Sequence, residues 1–250
     1  MSIYLKQFST HSEYEQYING SDAILPNVSV CTTEGDVHYN PYVDPCKQYD
    51  YVEIGGVKWA TKNVGACDIT DTGLYFQWGD ISGYTATQCG SGEGQKYFGW
   101  ADYKYLSGAG TSSSAMTKYN RTDGKTVLEA ADDAARVNWG NKWRMPTYDD
   151  FQALHNAVNT AWTADYQGTG VKGLVCTDKA DSSKVLFFPA CGSCYNGDVS
   201  NVGSNGYYWS SSLYDYIDVF SKCFEVGSGG CSISGVYGRS YGYSVRGVVG

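Results

Sequence analysis

The chain lacks the features that define several large classes of protein. No apolar run is long enough to cross a bilayer, and the first ten residues lack the apolar core of a signal peptide, so we expect no membrane insertion and no cleaved leader. Lys and Arg number 18 against 26 Asp and Glu, which gives a formal net charge of −8. This acidic balance argues against nucleic acid as a partner, because phosphate binding needs a basic face.

Histidine is also scarce, and this bears on metal chemistry. His11, His38 and His155 are far apart, so the pair Cys191 and Cys194 has no second pair or histidines at zinc-ligand spacing. A thioredoxin-like role would need a helix after that pair, whereas a glycine-rich loop follows. We interpret its spacing as structural or accidental, and we predict no cofactor and no metal. The nine cysteines are odd in number and scattered, so we expect most of them to be reduced and buried.

Candidate catalytic groups are few. The pairs Asp132-Asp133 and Asp149-Asp150 could indicate acid–base chemistry or calcium binding, but neither forms a calcium-loop pattern. A solvated face explains the first pair and the first turn of a helix explains the second. His155 has no obvious nucleophile nearby in the sequence, which favours a packed or surface histidine. We therefore predict that the protein is not an enzyme.

Glycine and aromatic residues are what the chain has in abundance. It contains 31 glycines and 23 tyrosines but only five prolines, a composition that favours many short strands joined by glycine turns. Residues 1–50 predict a short helix and a hairpin, too small for a core of their own, so we expect an attachment or assembly segment there. Residues 51–250 are expected to form the main domain, of the α+β class with two helices and long glycine-rich loops.

Local signals place several elements in that domain. Thr147 is followed by acidic residues, with Asp150 in the reciprocal position of a capping box, so a helix is predicted to begin there and to turn Phe151 and Leu154 to the core. An alanine-rich helix is predicted over 128–137, ended by Gly140. Strands are predicted in the segments 52–54, 57–60, 72–80, 173–176 and 184–189, and a long loop over 82–123.

The last forty residues suggest a binding surface. Residues 207–212 and 243–248 are typical of short strands, whereas the stretch 214–237 between them mixes Tyr, Asp, Ile, Cys, Ser and Gly without a clear period. A regular frame that carries an irregular middle is typical of recognition sites. Tyrosine suits such sites because it is large, amphipathic and low in conformational entropy. Five of the seven tryptophans are expected in the core, namely Trp59, Trp78, Trp139, Trp143 and Trp209.

Six ordered blocks, which we call the frame blocks, resemble the Fibrobacter-type major paralogous domain. They are VKWATKNVGA (57–66), GLYFQWGD (73–80), WRMPT (143–147), FPA (188–190), GYYWSSS (206–212) and GYSVR (242–246). The resemblance implies a C-type lectin-like fold of the formylglycine-generating-enzyme-like subtype. The same block order is similar to the variable proteins of diversity-generating retroelements, in which a reverse transcriptase randomises adenines near the C-terminus. One departure is Gly247 after Arg246, where members of the group often have proline.

The resemblance also implies which positions vary, within a variable region of about 207–248. Randomising both adenines of an AAC codon cannot produce Lys, Glu, Gln, Met or Trp, and within 214–237 only Lys222 and Glu225 belong to that excluded set. Both are therefore assigned to the frame. The candidate ligand-binding positions are Tyr214, Asp215, Tyr216, Ile217, Asp218, Cys223, Ser228, Cys231, Ile233, Gly235 and Tyr237. The alternation from Cys231 to Tyr237 predicts that its four candidates share one face of an extended segment.

By this resemblance the protein is expected to recognise variable protein or glycan targets on a cell surface. It is expected on a phage tail, attached to tail proteins through residues 1–50, or on a bacterial cell surface, as a homotrimer or a monomer. One alternative is a carbohydrate-binding module of a bacterial surface protein that is not diversified. Another is an oxidase-like enzyme using Cys223 and Cys231, because formylglycine-generating enzymes share the fold and use paired reactive cysteines.

Overall fold

A computed structural model describes Cys46, residues 49–108 and residues 115–250. The contacts within the chain divide it into two units, Met1–Gln48 and Tyr49–Gly250. The helix and hairpin expected in the first fifty residues lie outside the described residues.

The described residues form twelve strands and two α-helices, with short 3-10 turns in the long loops. The strands are β1 (Tyr51–Ile54), β2 (Val57–Asn63), β3 (Trp143–Arg144), β4 (Val158–Thr163), β5 (Gly173–Asp178), β6 (Val185–Pro189), β7 (Ser193–Tyr195), β8 (Asp198–Ser200), β9 (Asn205–Leu213), β10 (Phe220–Gly227), β11 (Gly230–Gly238) and β12 (Arg246–Val249). The helices are α1 (Ala134–Trp139) and α2 (Tyr148–Ala157). No helix among the described residues has the length and apolar character needed to span a membrane.

All named strands pair antiparallel, in four small sheets. The first sheet has the order β1-β2-β12-β3, so the last strand of the chain is inserted beside one of the first. The others are β4-β5-β6, β7-β8 and β9-β10-β11. Antiparallel strands with two helices make the domain α+β, which confirms the predicted class in these general terms.

The C-terminal stretch is more regular than its sequence suggests. The region interpreted as an irregular middle is mostly a hairpin, in which β10 and β11 pair across a tight turn at Gly227 and Gly230. The mixed composition hides this pattern, although alternate residues Phe224 and Val226 are buried in the core. Residues 214–219, which we call the β9–β10 loop, and the two turn residues Ser228 and Gly229 remain outside the strands.

The sheet β9-β10-β11 separates two apolar clusters. On one face Phe224 stacks on Phe151 of α2, with ring centroids 4.7 Å apart, in a cluster that also holds Trp59 and Tyr208. On the other face Trp209 packs with Trp78 and Tyr243. The indole N–H of Trp78 donates to the carbonyl of Ser210 over 2.8 Å, so this part of the core is fixed by hydrogen bonds as well as by packing. Four of the five tryptophans expected in the core are buried, and Trp139 is half-buried.

Helix α2 begins as predicted. Thr147 accepts a hydrogen bond from the backbone N–H of Asp150, and the Asp150 carboxylate accepts from the N–H of Thr147, which completes the capping box. Phe151 and Leu154 are buried, as expected.

Two other elements were predicted to be longer than the structure shows. The alanine-rich helix covers only α1, because Asp133 caps it and because the side chain of Asp132 turns inward to Lys118 and to the hydroxyl of Tyr119. The segment 72–80 forms isolated bridges at Tyr75 and Phe76 rather than a strand. In both places long-range contacts override the local propensity.

The expectation that most cysteines are reduced was wrong for half of the described ones. Cys89 and Cys194 form a disulfide between residues 105 apart in sequence. Among the described residues, four cysteines are disulfide-bonded, Cys46, Cys67, Cys89 and Cys194, and four are free, Cys176, Cys191, Cys223 and Cys231. Cys191 and Cys194 therefore do not act as a pair, which agrees with a structural reading of their spacing.

Arg246 holds the junction between β2, β12 and β6. Its guanidinium is fully buried and donates to the side-chain oxygen of Asn63 over 2.8 Å. It also donates to three backbone carbonyls at 3.0–3.1 Å, those of Ala60, Thr61 and Phe187. No carboxylate among the described residues pairs with it; neutral oxygens and the ring of Phe188, whose centroid lies 4.6 Å from the guanidinium carbon, stabilise its charge, and burial lowers its pKa.

We predict that Arg246→Met destabilises the domain by about 3 kcal/mol, because four buried acceptors lose their donor. Urea denaturation measures the change. Arg136→Met, at a half-buried position on α1, is the matched control and is expected to change stability by less than about 0.5 kcal/mol. Equal denaturation midpoints for Arg246→Met and the unaltered chain would contradict the role given to Arg246.

Candidate ligand-binding surface

The β9–β10 loop carries the most exposed large side chains of the C-terminal region. Tyr216 is 70% exposed and Ile217 42% exposed, and Asp215 beside them is also exposed. The ring centroid of Tyr214 lies 5.4 Å from that of Tyr216, so the two phenols form a pair at the surface. Exposed aromatic and apolar groups side by side are typical of an interaction site.

The buried side chain of Asp218 anchors this loop. It is only 4% exposed, and its carboxylate accepts a hydrogen bond of 2.9 Å from the backbone N–H of Arg121. The Arg121 guanidinium lies 3.7 Å from the same carboxylate and donates to the carbonyl of Tyr216 over 2.6 Å. Asp218 was predicted as a ligand-binding position, and the structure places its side chain inside, against the long loop that contains Arg121.

Arg239 fixes the base of the same loop. Its guanidinium is fully buried and donates to the carbonyls of Asp218 and Tyr119 over 2.8 and 3.0 Å, and to the hydroxyl of Tyr103 over 2.7 Å. The guanidinium carbon of Arg239 lies 4.8 Å from the ring centroid of Trp78 and 5.2 Å from that of Tyr103. Aromatic faces attract such a cation, so Arg239 ties the loop to the core without a carboxylate partner.

Lys222 supports the loop from β10. Its ammonium pairs with the exposed carboxylate of Asp215 at 2.8 Å and lies 4.5 Å from the ring centroid of Tyr148 on α2. Lys222 is half-buried, which suits the frame role that the codon argument gave it.

A second feature of the C-terminal region is a cluster that we call the tyrosine shelf: Tyr195, Tyr207, Tyr237, Tyr241 and Tyr243. Tyr243 is buried and stacks on Tyr207 with centroids 5.0 Å apart, and the ring of Tyr237 meets both of them edge-on. Tyr195 and Tyr241 stack at 3.9 Å. All members except Tyr243 are half-buried, so each of these four residues keeps some exposed surface.

Glu225 lies on the shelf. It is directly opposite Tyr207 of β9 in the strand register, and its Oε1 would be 2.3 Å from a Cβ built on Gly235. Gly235 is therefore required for the carboxylate to lie over β11 in this position. Burial, and then the negative charge of Glu225, raise the pKa of both Tyr207 and Tyr237, so these phenols keep their protons at neutral pH.

The prediction that four candidates of β11 share one face was wrong. Cys223 pairs with Gly235 but Glu225 pairs with Ser232, so β11 contains one extra residue, a β-bulge. An extra residue reverses the faces of a strand with a period of two. Cys231 and Ile233 consequently pack on the cluster that contains α2, whereas Tyr237 packs on the opposite cluster, with the shelf.

The bulge also separates the two cysteines of the oxidase-like alternative. Cys223 is buried on the shelf side, where burial and then Glu225 raise the pKa of its thiol well above the usual value. Cys231 packs on the other face, so the structure does not bring these thiols together as a pair.

His155 has a neighbour that the sequence did not reveal. Its Nδ1 lies 3.3 Å from Sγ of Cys231, which corrects the interpretation that no nucleophile is near it. Burial raises the pKa of the Cys231 thiol, so the thiol stays protonated at neutral pH. In the described part of the chain no three His, Cys, Asp or Glu side chains converge as metal ligands.

The eleven predicted positions thus fall into three groups by exposure. The exposed ones are Asp215, Tyr216, Ile217 and Ser228, the half-buried ones are Tyr214, Cys231, Ile233 and Tyr237, and the buried ones are Asp218, Cys223 and Gly235. Sequence reasoning missed Tyr207, Tyr241 and Glu225. It assigned Tyr207 to a frame strand and Glu225 to the frame by its codon, and it did not include Tyr241 among the candidates. The repeated tyrosines of 207–243 were the available signal.

Comparisons of the chain with protein-family models, with curated proteins and with solved structures gave no match in any of the three.

We predict losses of stability of different size for two neighbouring carboxylates. Asp218→Ala removes the acceptor for the Arg121 N–H and is expected to lower stability by about 2 kcal/mol. Asp215→Ala removes only a surface ion pair and should cost about 0.5 kcal/mol or less. Urea denaturation of both variants tests this, and equal losses would show that Asp218 does not anchor the loop.

Proposed function

We propose that the protein binds a macromolecular ligand through the β9–β10 loop and the tyrosine shelf. The observation that carries this proposal is the contrast within a few residues: Tyr216 and Ile217 are exposed, while Asp218 next to them is buried and held by Arg121 and Arg239. An aromatic contact surface on a rigid base loses little conformational entropy on binding. Tyrosines surrounded by Ser and Gly are the composition of antibody recognition loops.

We further propose that this surface is diversified by a retroelement and that the domain has a C-type lectin-like fold. The resemblance of the frame blocks supports both statements, and so does the way burial is distributed. Trp59, Trp78, Trp209 and Arg246 of those blocks are fully buried, whereas Asp215 and Tyr216 in the candidate region are exposed. Replacing an exposed residue changes stability little, so selection is free to change it for binding.

The same reasoning places the protein on a phage tail or a bacterial cell surface, where diversified recognition of a host or a competitor has a use. Its ligand would be a protein or a glycan of a cell surface. Residues 1–50 would attach it to its carrier. Binding through the shelf needs no cofactor and no catalysis.

A carbohydrate-binding module with a fixed sequence is the second candidate. The half-buried rings of Tyr207, Tyr237 and Tyr241 favour it, because a flat aromatic face can pack on the apolar face of a sugar ring. This candidate differs from the first in one respect: its shelf would recognise one class of glycan and would not tolerate change.

Surface display of two libraries tests the proposed function. The first library randomises four positions of the loop, Tyr214, Asp215, Tyr216 and Ile217. The control library randomises four positions on and near β4, Asn159, Thr160, Ala161 and Asp165, which are exposed but remote in sequence from the candidate surface. Both are panned on the same biotinylated test protein, such as lysozyme.

We expect binders to enrich from the loop library at least about tenfold more than from the β4 library, because only the loop belongs to the proposed contact surface. Equal enrichment would contradict the proposal. The unaltered chain is also applied to a glycan array. Binding to a single class of glycan, if the Tyr237→Ser variant loses it, would favour the fixed carbohydrate-binding module instead.

A further inference from the structure

Glu225 has no cationic partner among the described residues, and the phenol of Tyr237 is a neighbouring hydrogen-bond donor to its carboxylate. The other acidic groups around the surface have a cationic partner: Asp215 pairs with Lys222, Asp218 with Arg121 and Asp132 with Lys104 and Lys118. No Lys, Arg or His nitrogen of the described residues lies within 4.0 Å of Glu225. Its side chain is nevertheless half-buried. A negative charge held in this way is stabilised by any cation that reaches it.

The surroundings of Glu225 also attract cations. Tyr207 and Tyr237 lie edge-to-face with centroids 5.6 Å apart, and both phenols feel the charge of Glu225. The faces of such rings carry negative potential and draw a guanidinium or an ammonium within about 6 Å. The protein uses this interaction internally, since Arg239 lies among aromatic rings and Lys222 lies over Tyr148.

We propose that Glu225, Tyr207 and Tyr237 form a subsite for an arginine side chain of a protein ligand. Arginine fits better than lysine, because its planar guanidinium can pair with both oxygens of a carboxylate and lie flat on a ring at the same time. The inference rests on the proposed binding function and narrows its ligand to a protein with arginine at the point of contact. The chain's net charge of −8 adds a long-range attraction for such a partner.

Gly235 controls this subsite. A Cβ at that position would lie 2.3 Å from Oε1 of Glu225 and 2.9 Å from Sγ of Cys223, so a side chain there displaces the carboxylate. Because position 235 is a candidate for variation, its exchange would remove the arginine subsite while Glu225 itself stays constant. Position 235 thus selects between ligands with and without a cation.

The test uses Nα-acetyl-arginine methylamide as the probe and the citrulline analogue, which has nearly the same shape without the charge, as its reference. Each is titrated into the full-length, ¹⁵N-labelled protein and followed by the amide signals of Glu225, Ser232 and Gly235. We expect the arginine probe to bind at least about fivefold more tightly than the citrulline probe. Equal affinities for the unaltered protein overturn the proposal.

Two variants test whether the difference in affinity between the probes depends on Glu225. Glu225→Gln should abolish the difference between the two probes, whereas Glu53→Gln, the same change at an exposed position of β1, should leave it intact. Loss of the difference in Glu53→Gln would mean that net charge and not the subsite attracts arginine, which also overturns the proposal. If the probes fail but the loop library still yields binders, the arginine subsite is wrong and the binding function stands. If the library fails while the probes discriminate, the binding function is wrong.

Discussion

The architecture of the surface depends on one buried cation. Arg239 reaches from the end of β11 into the core, where it bonds the carbonyls of Lys118, Tyr119 and Asp218 and the hydroxyl of Tyr103. These groups belong to three parts of the chain that are distant in sequence. A buried charge is costly unless its donors are satisfied, so each bond that Arg239 makes constrains the conformation of all three parts. The β9–β10 loop is held in place for this reason, although its own side chains face solvent.

Within this short stretch of chain, the residues that hold the backbone in place are therefore different from the residues that are exposed. Asp218, Lys222 and Glu225 make specific contacts with the frame or with the shelf, whereas Tyr216 and Ile217 have few neighbours to satisfy. Under this arrangement the residues that hold the backbone differ from the residues that would meet a ligand. Changes at the exposed positions then alter recognition with little effect on folding, and changes at the buried ones act on both.

Part of the fold was predictable from short stretches of sequence. The capping box of Thr147 and Asp150, the strand pair β1–β2 and the hairpin β5–β6 are each encoded within a few neighbouring residues, and the structure contains them. The hairpin β10–β11 was missed because a bulge interrupts its period of two, and the disulfide between Cys89 and Cys194 because its partners are far apart in sequence. The irregular composition was taken to extend over 214–237, whereas most of that stretch forms β10 and β11. Of the shelf only Tyr237 was among the candidates; Tyr207 was assigned to a frame strand, and its position opposite Glu225 follows from the pairing of β9 with β10.

The most direct test of the account is the DNA sequence of this locus in many isolates. A constant frame that carries a diversified surface predicts a near-copy of the C-terminal codons beside a reverse-transcriptase gene. It also predicts differences at template adenines, concentrated at exposed positions such as Asp215, Tyr216 and Ile217, with Arg239 and Arg246 unchanged. Invariant C-terminal codons without a template copy would contradict diversification. Substitutions spread equally over the buried arginines and the exposed loop would contradict the separation of frame from surface.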